Sequence, residues 1–209
     1  MHRTLGVADL LGNFDLGAFF HGTSMDPPAD TVAHRPARLV TFFAMCASLR
    51  IRPARPDDVD VLHRFVLELA EAERFPGEVT AQPADLTRAL FEEGSVAEAV
   101  VACLDERPVG FALYYPSYST IVGRPGLHLE DLYVSAEHRG SGLGLSLLAH
   151  LARLAVERNC GRLEWWVLRT NDAALRFYRR LQARGLDEIE VMRLEGDPLK
   201  ALASRFGRW

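Results

Sequence analysis

Three cysteines in 209 residues, Cys46, Cys103 and Cys160, lie far apart and in odd number. They give neither the close spacing of a metal site nor a complete disulfide framework, and they read as reduced thiols. Long apolar runs are also missing. The longest, Leu39 to Leu49, falls well short of the roughly 20 residues that cross a bilayer. Asp9, Asn13 and Asp15 interrupt the N-terminal stretch where a secretion signal would need its apolar core. There is no excess of positive charge. A net charge of −4 and a pI near 6.0 give no electrostatic case for nucleic acid and are compatible with a cationic small substrate. The seven histidines form no cluster, so no metal constellation is visible. These absences leave a cytoplasmic protein with no nucleic-acid, membrane or metal partner as the expectation.

What remains is ordinary for a globular chain: 48% hydrophobic and 25% charged residues. Residues 1–44 mix Gly, Pro, Asp and isolated apolar residues without sustained period, and Asp26-Pro27-Pro28-Ala29-Asp30 reads as a linker. They are expected to be a poorly ordered or peripheral extension, with a single domain over 45–209. Within it Ser48 to Arg55 alternates as a strand. Pro56-Asp57-Asp58 opens a helix to Glu73, with Val59, Leu62, Phe65, Val66 and Leu69 on one face. A second helix covers about Pro83 to Glu93. Ala97–Leu104 and Val109–Tyr118 read as a hairpin across Asp105-Glu106-Arg107-Pro108. A loop, Ser119 to Gly126, leads to a strand over Leu127–Val134. A helix follows to about 158, closed by Asn159-Cys160-Gly161. Then come a strand, Arg162–Leu168, a helix capped by Asn171 or Asp172 and running to about Leu181, a strand, Ile189–Leu194, and a short helical tail near Pro198–Ser204. The order is α+β, with a mixed, mostly antiparallel sheet flanked by helices and one parallel pair around 127–168.

Between the strand ending at Val134 and the next helix lies Arg139-Gly140-Ser141-Gly142-Leu143-Gly144. A glycine-rich turn at a helix N-terminus cradles anions: unbonded N–H groups point outward and the helix dipole adds positive potential. The alternative, a tight turn that binds nothing, carries equal weight on the glycines alone. The loop lacks the lysine of a P-loop, and it follows several strands rather than the first strand of a dinucleotide fold.

The loop fits the Arg/Gln-x-x-Gly-x-Gly/Ala pattern of the GCN5-related N-acetyltransferase (GNAT) superfamily, which the chain resembles. Further segments resemble its diamine (spermidine/spermine) and thialysine acetyltransferase branch: Glu68-Leu69-Ala70 with Glu73, Gly110 to Tyr115, Leu129 to Val134, and Asn171 with Phe177-Tyr178-Arg179-Arg180. The resemblance covers about 49–195. It implies the GNAT fold with a splayed parallel pair, acetyl-CoA as co-substrate, and a homodimer acting on a small-molecule amine, a polyamine, diamine or lysine-like amino acid.

The same resemblance implies roles for residues. Leu132, Tyr133 and Val134 would hold the pantetheine arm by main-chain groups, 139–144 would hold the pyrophosphate, and Asn171 would touch the arm. Glu130 would assist deprotonation of the amine, and Tyr178 would protonate the departing thiolate. Glu73, Glu130, Asp131, Glu164 and Trp166 would face the acceptor. Read without the family, the alternative for Glu130 is a solvated or salt-bridged strand acid, whereas Tyr178 reads first as a core tyrosine beside Leu175 and Phe177, and His128 as a strand residue facing solvent or a partner subunit. Acetylation of a protein N-terminus or lysine, and acyl-CoA binding without turnover, are the competing functions. Departures from the branch fall where the acceptor would be read: Ala72 and Ile121 replace aromatics, and Gln182-Ala183 replaces a Gly-Ala turn.

Overall fold

The structure, a computed structural model, describes residues 48–75 and 77–206. The expectation for 1–44 lies outside the described residues. Five strands, β1 (Leu49–Pro53), β2 (Glu98–Leu104), β3 (Arg107–Ser119), β4 (Arg124–Val134) and β5 (Leu163–Trp165), form one sheet in sequence order. All neighbours are antiparallel except β4 and β5, which run parallel. The helices are α1 (Val59–Glu73), α2 (Pro83–Phe91), α3 (Leu143–Glu157), α4 (Asp172–Arg180) and α5 (Gly196–Ala203).

The sheet is covered on both faces, which explains why β2 is apolar almost throughout. Its Val100 and Ala102 join Leu147, Leu148 and Leu151 of α3, while Ala99, Val101 and Cys103 join Leu62 and Phe65 of α1. Burying one such side chain contributes roughly 1.5–3 kcal/mol, so these two layers dominate the fold's stability. The β2–β3 hairpin closes on Asp105 and Glu106, both left-handed (φ 46° and 64°), as a two-residue turn requires. Gly110 in β3 is needed for a different reason. A Cβ there would lie 2.6 Å from the carbonyl oxygen of Tyr133, closer than non-bonded atoms approach.

Four expectations need correction. The β3–β4 connection is short, because the strands extend to Ser119 and from Arg124. A 3₁₀ turn, Pro56–Asp58, precedes α1, with the Asp58 carboxylate bonded to the Arg55 N–H. The strand expected over Arg162–Leu168 holds only from Leu163 to Trp165, where its pairing with β4 ends. Finally, Ile189–Leu194 is not a strand. Its alternation is real, but strand structure needs a hydrogen-bonding neighbour, and the sheet ends at β5. Ile189, Val191, Met192 and Leu194 are all more than half exposed.

Candidate active site

The site originates in two irregularities of β4. Leu127, His128 and Leu129 pair with β3 on one side and with β5 on the other. Beyond Leu129 the parallel strands part, and among the described residues Glu130 to Val134 have no partner on the β5 side. At the same point the β3 register skips a residue: Tyr114 opposes Leu129 and Leu113 opposes Asp131. Glu130 is therefore the extra residue of a β-bulge, a device that bends a strand and re-aims its side chains.

A cleft opens where the strands part. Its walls carry Glu73 and Leu69 of α1, Glu130, Asp131 and Leu132 of β4, and Trp165, Trp166 and Tyr178 from the β5–α4 side. Three carboxylates converge here, and among the described residues no arginine or lysine lines the cleft. Asp131 feels this most: burial, then the charges of Glu130 and Glu73, push its carboxyl up to about 6. Tyr178 is pushed up to about 12, mainly by burial and secondly by Glu73, so its phenol keeps its proton at neutral pH. Its ring packs on Trp165 at 4.8 Å between centroids.

Asn171 joins the two sides. Its Oδ1 accepts from the Ala174 N–H at 3.1 Å, capping α4, and its Nδ2 donates to Glu73 Oε1 at 3.1 Å. The expected cap of α4 is thus Asn171 rather than Asp172, and the same side chain fixes an acidic residue of the cleft.

The glycine loop lies beyond the other end of β4. Gly140 and Gly142 have φ of 77° and 90°, and Gly142 opens α3 without a side-chain cap. The first helical bond runs from the Ser146 N–H to the Gly142 carbonyl. The N–H groups of Leu143, Gly144 and Leu145 therefore have no intrahelical acceptor, which suits a phosphate. Arg139 folds back onto the strand: its Nε donates to the Val134 carbonyl at 3.0 Å, and its guanidinium lies 5.6 Å from the centre of the Tyr133 ring. Ser141 Oγ donates to the His138 carbonyl. The uncapped turn and the open edge of β4 form one continuous track, which fits an extended arm ending in a pyrophosphate.

Of the residues singled out from sequence, the cleft gathers Glu73, Glu130, Asp131, Leu132, Trp166 and Tyr178. Glu164 is not among its walls; it pairs with Arg162 at 3.0 Å. The Tyr133 side chain is buried on the α1 face, its hydroxyl donating to Glu68, which leaves only its main chain for a ligand. His128 does not face solvent. It is 6% exposed, because Tyr115 and Trp166 enclose it. Tyr115, Leu69 and Trp165 were not anticipated. Trp165 carried a signal, being the inward member of an alternating Trp-Trp pair, whereas Tyr115 enters through its register with His128.

Residues 64–182 match the acetyltransferase (GNAT) family. The chain is 35% identical to the mouse thialysine N-epsilon-acetyltransferase over 76% of its length and 99% of that enzyme's. It is 26% identical to the L-ornithine N5-acetyltransferase of Arabidopsis thaliana, over 73% of its length and 87% of that enzyme's. Among solved structures, an integron cassette protein from the mobile metagenome of V. cholerae matches with a TM-score of 0.63 at 31% identity, covering 75% of this chain and 98% of that one. The sheet order, the parted parallel pair and these matches together show that the chain belongs to the GNAT acetyltransferase family and is an acetyltransferase.

Proposed function

We propose that this protein moves the acetyl group of acetyl-CoA to a primary amine of a small molecule, a polyamine, diamine or lysine-like amino acid. The observation that carries this reading is the cleft itself: three carboxylates and a protonated phenol, with no cation to balance them among the described residues. An ammonium group is the missing counter-charge. The names of the relatives, thialysine and ornithine acetyltransferases, point to acceptors with an ammonium group at the end of an aliphatic chain.

The chemistry is attack of an amine on a thioester. An alkyl ammonium has a pKa near 10.4 by analogy with lysine, so the attacking form is scarce at neutral pH. Glu130, on the bulge and half-exposed, receives the cation and assists removal of its proton, directly or through water. Tyr178, across the cleft, gives its phenolic proton to the departing thiolate. Main-chain groups of Leu132, Tyr133 and Val134 would line the donor's arm. The turn Arg139-Gly140-Ser141-Gly142-Leu143-Gly144 would take its pyrophosphate, with Asn171 at the acceptor end of the track. Glu73, Asp131 and Trp166 shape the acceptor side, and Glu164 stands just outside it.

A screen for CoA release across polyamines, thialysine, ornithine, aminoglycosides and peptides tests the proposal. Turnover with diamines and lysine-like amino acids but not with peptides is the expected result. Turnover confined to peptides would overturn it in favour of protein acetylation, and CoA binding without any turnover would make the protein a binding module.

We further propose that the protein acts as a cytoplasmic homodimer. Support comes from the exposed segment Ile189–Leu194, whose sequence alternates like a strand and which pairs with no strand among the described residues. Sedimentation at micromolar concentration should give the dimer mass, and monomer alone would refute it.

A further inference from the structure

Behind Glu130 the cleft wall holds a buried imidazole that the reaction outlined above does not use. His128 lies under the ring of Tyr115, centroids 4.9 Å apart and planes 23° from parallel, and meets the edge of Trp166 at 5.0 Å. These two rings fix its orientation and leave it 6% exposed. Its Nε2 stands 3.9 Å from Glu130 Oε2, just beyond hydrogen-bond reach. No other ion pair of Glu130 within 4.0 Å is present among the described residues.

The groups around His128 divide sharply by charge. From β3 it faces Tyr115, whose phenol is raised by burial first and by Glu130 and Glu164 next, and so stays neutral. From β5 it faces Glu164, its register partner, whose carboxylate already pairs with Arg162. Trp166 carries no charge. On β4 itself it faces Glu130, which pairs with no arginine or lysine among the described residues, and Asp131 lies on the same side of the sheet, raised to about 6 by burial first and by Glu130 and Glu73 next. A proton on His128 would therefore create a cation beside Glu130 and Glu164, and of these two Glu130 is the one without an arginine or lysine partner among the described residues.

We propose that His128 is a positioning residue for Glu130 and sets the lower pH limit of acceptor use. Neutral, it forms the apolar backing against which the Glu130 carboxylate faces the cleft and stays free for the acceptor's ammonium. Protonated, it takes that carboxylate and competes with the acceptor. This inference rests on the role of Glu130 in the proposed reaction. Because the two cations compete for one carboxylate, kcat/KM for the acceptor falls more steeply toward acid with the imidazole present than without it, by up to an added factor of about ten per pH unit.

The test compares kcat/KM for the acceptor between pH 5 and 8.5 in the wild type, His128→Gln and His128→Phe, each normalised to its own value at pH 8.5. Asp131, pushed up to about 6, titrates in the same range but is present in all three proteins, so the difference isolates His128. The expected result is an acid limb steeper by up to about one in the logarithmic plot for the wild type alone. The change should appear in the acceptor's KM and be absent from that of acetyl-CoA. Identical acid limbs would overturn the proposal.

A second measurement stands even where the His128 variants fold poorly. The imidazole resonances of His128 are titrated by NMR without acetyl-CoA, in the wild type and in Glu130→Gln. The midpoint should move to lower pH in Glu130→Gln, and in the wild type on adding the diamine that turns over best, since linkage is reciprocal. A midpoint insensitive to both refutes the coupling. If no amine is turned over at all, the proposed function fails, while the Glu130→Gln titration still decides whether the two side chains are coupled.

Discussion

Asn171 offers the sharpest test of how the site is held together, because one side chain does two separable things. Its Oδ1 caps α4 and its Nδ2 holds Glu73, 98 residues earlier in the chain. α4 has no fully buried residue, so it depends on such anchors more than α1 or α3 does. Asn171→Ala removes the cap, worth about 1 kcal/mol. It also removes a hydrogen bond to a carboxylate, worth about 1.5 kcal/mol at the lower end for a partly buried pair. The total of about 2–3 kcal/mol corresponds to a fall of about 5–10 °C in Tm for a domain of this size. Asn171→Ser retains a capping oxygen and loses only the reach to Glu73, so its Tm should fall by about 3–6 °C. Thermal unfolding followed by circular dichroism measures both. Tyr178 rides on α4 and Glu73 loses its tether, so kcat should fall in both variants. An Ala variant melting within 1 °C of wild type, or a Ser variant melting as low as the Ala one, would refute this account.

Three further outcomes are expected. Tyr178→Phe should lower kcat by about 10²-fold or more while acetyl-CoA binding, followed by calorimetry, stays nearly intact; unchanged turnover would remove Tyr178 from the mechanism. Gly110→Ala sets a Cβ against the Tyr133 carbonyl at 2.6 Å and should destabilise by about 2–3 kcal/mol in urea unfolding, with no change expected only if β3 and β4 separate freely. Asp131, raised from 3.8 to about 6, loses stability for the fold as pH rises through that window, because the native state holds the proton more tightly than the unfolded chain does. Asp131→Asn should therefore gain about 2–3 kcal/mol at pH 7.5 and nothing at pH 3.5; equal Tm shifts at both pH values would contradict the linkage.

The sheet and its helices were legible because their apolar patterns are local. Val59, Leu62 and Phe65 on α1, the continuous run of β2 and the glycines before α3 each announce their environment within a dozen residues. The cleft acids and Tyr178 were legible through resemblance, since a carboxylate on a strand has no local signature of catalysis. What sequence hid depends on partners. Ile189–Leu194 alternates like a strand, yet among the described residues no strand pairs with it. His128 looked solvent-facing because the rings that cover it come from β3 and from the residue following β5, 13 positions before it and 38 after it. Glu164 pairs with Arg162, the residue just before β5, and is not among the walls of the cleft.

The bulge at Glu130 explains why these residues act together. In a regular strand side chains alternate, so His128 and Asp131, three positions apart, would lie on opposite faces. Leu129 packs in the layer of α3 and Leu113, the partner of Asp131, in the layer of α1. Without the bulge, with Glu130 paired in regular register, Asp131 would share the face of Leu129 and bring an uncompensated carboxylate into the apolar contact with α3, at a cost of several kcal/mol. With it, His128 and Asp131 fall on the α1 side, Leu132 returns to the α3 side, and Glu130 itself opposes no residue of β3. The bulge also coincides with the last rung of the β4–β5 ladder, so the strand loses its outer partner just as it re-aims its side chains. One inserted residue thus converts a buried strand into an acidic wall on one side of the gap and an unpaired backbone track toward the glycine turn. Glu130→Gln is expected to retain the wild-type Tm within about 2 °C, and deletion of Glu130 should also fold, because Leu129 and Asp131 would then be adjacent and keep the opposite faces they have now; the deletion should lose turnover, and a deletion variant that does not fold would contradict this account of the bulge.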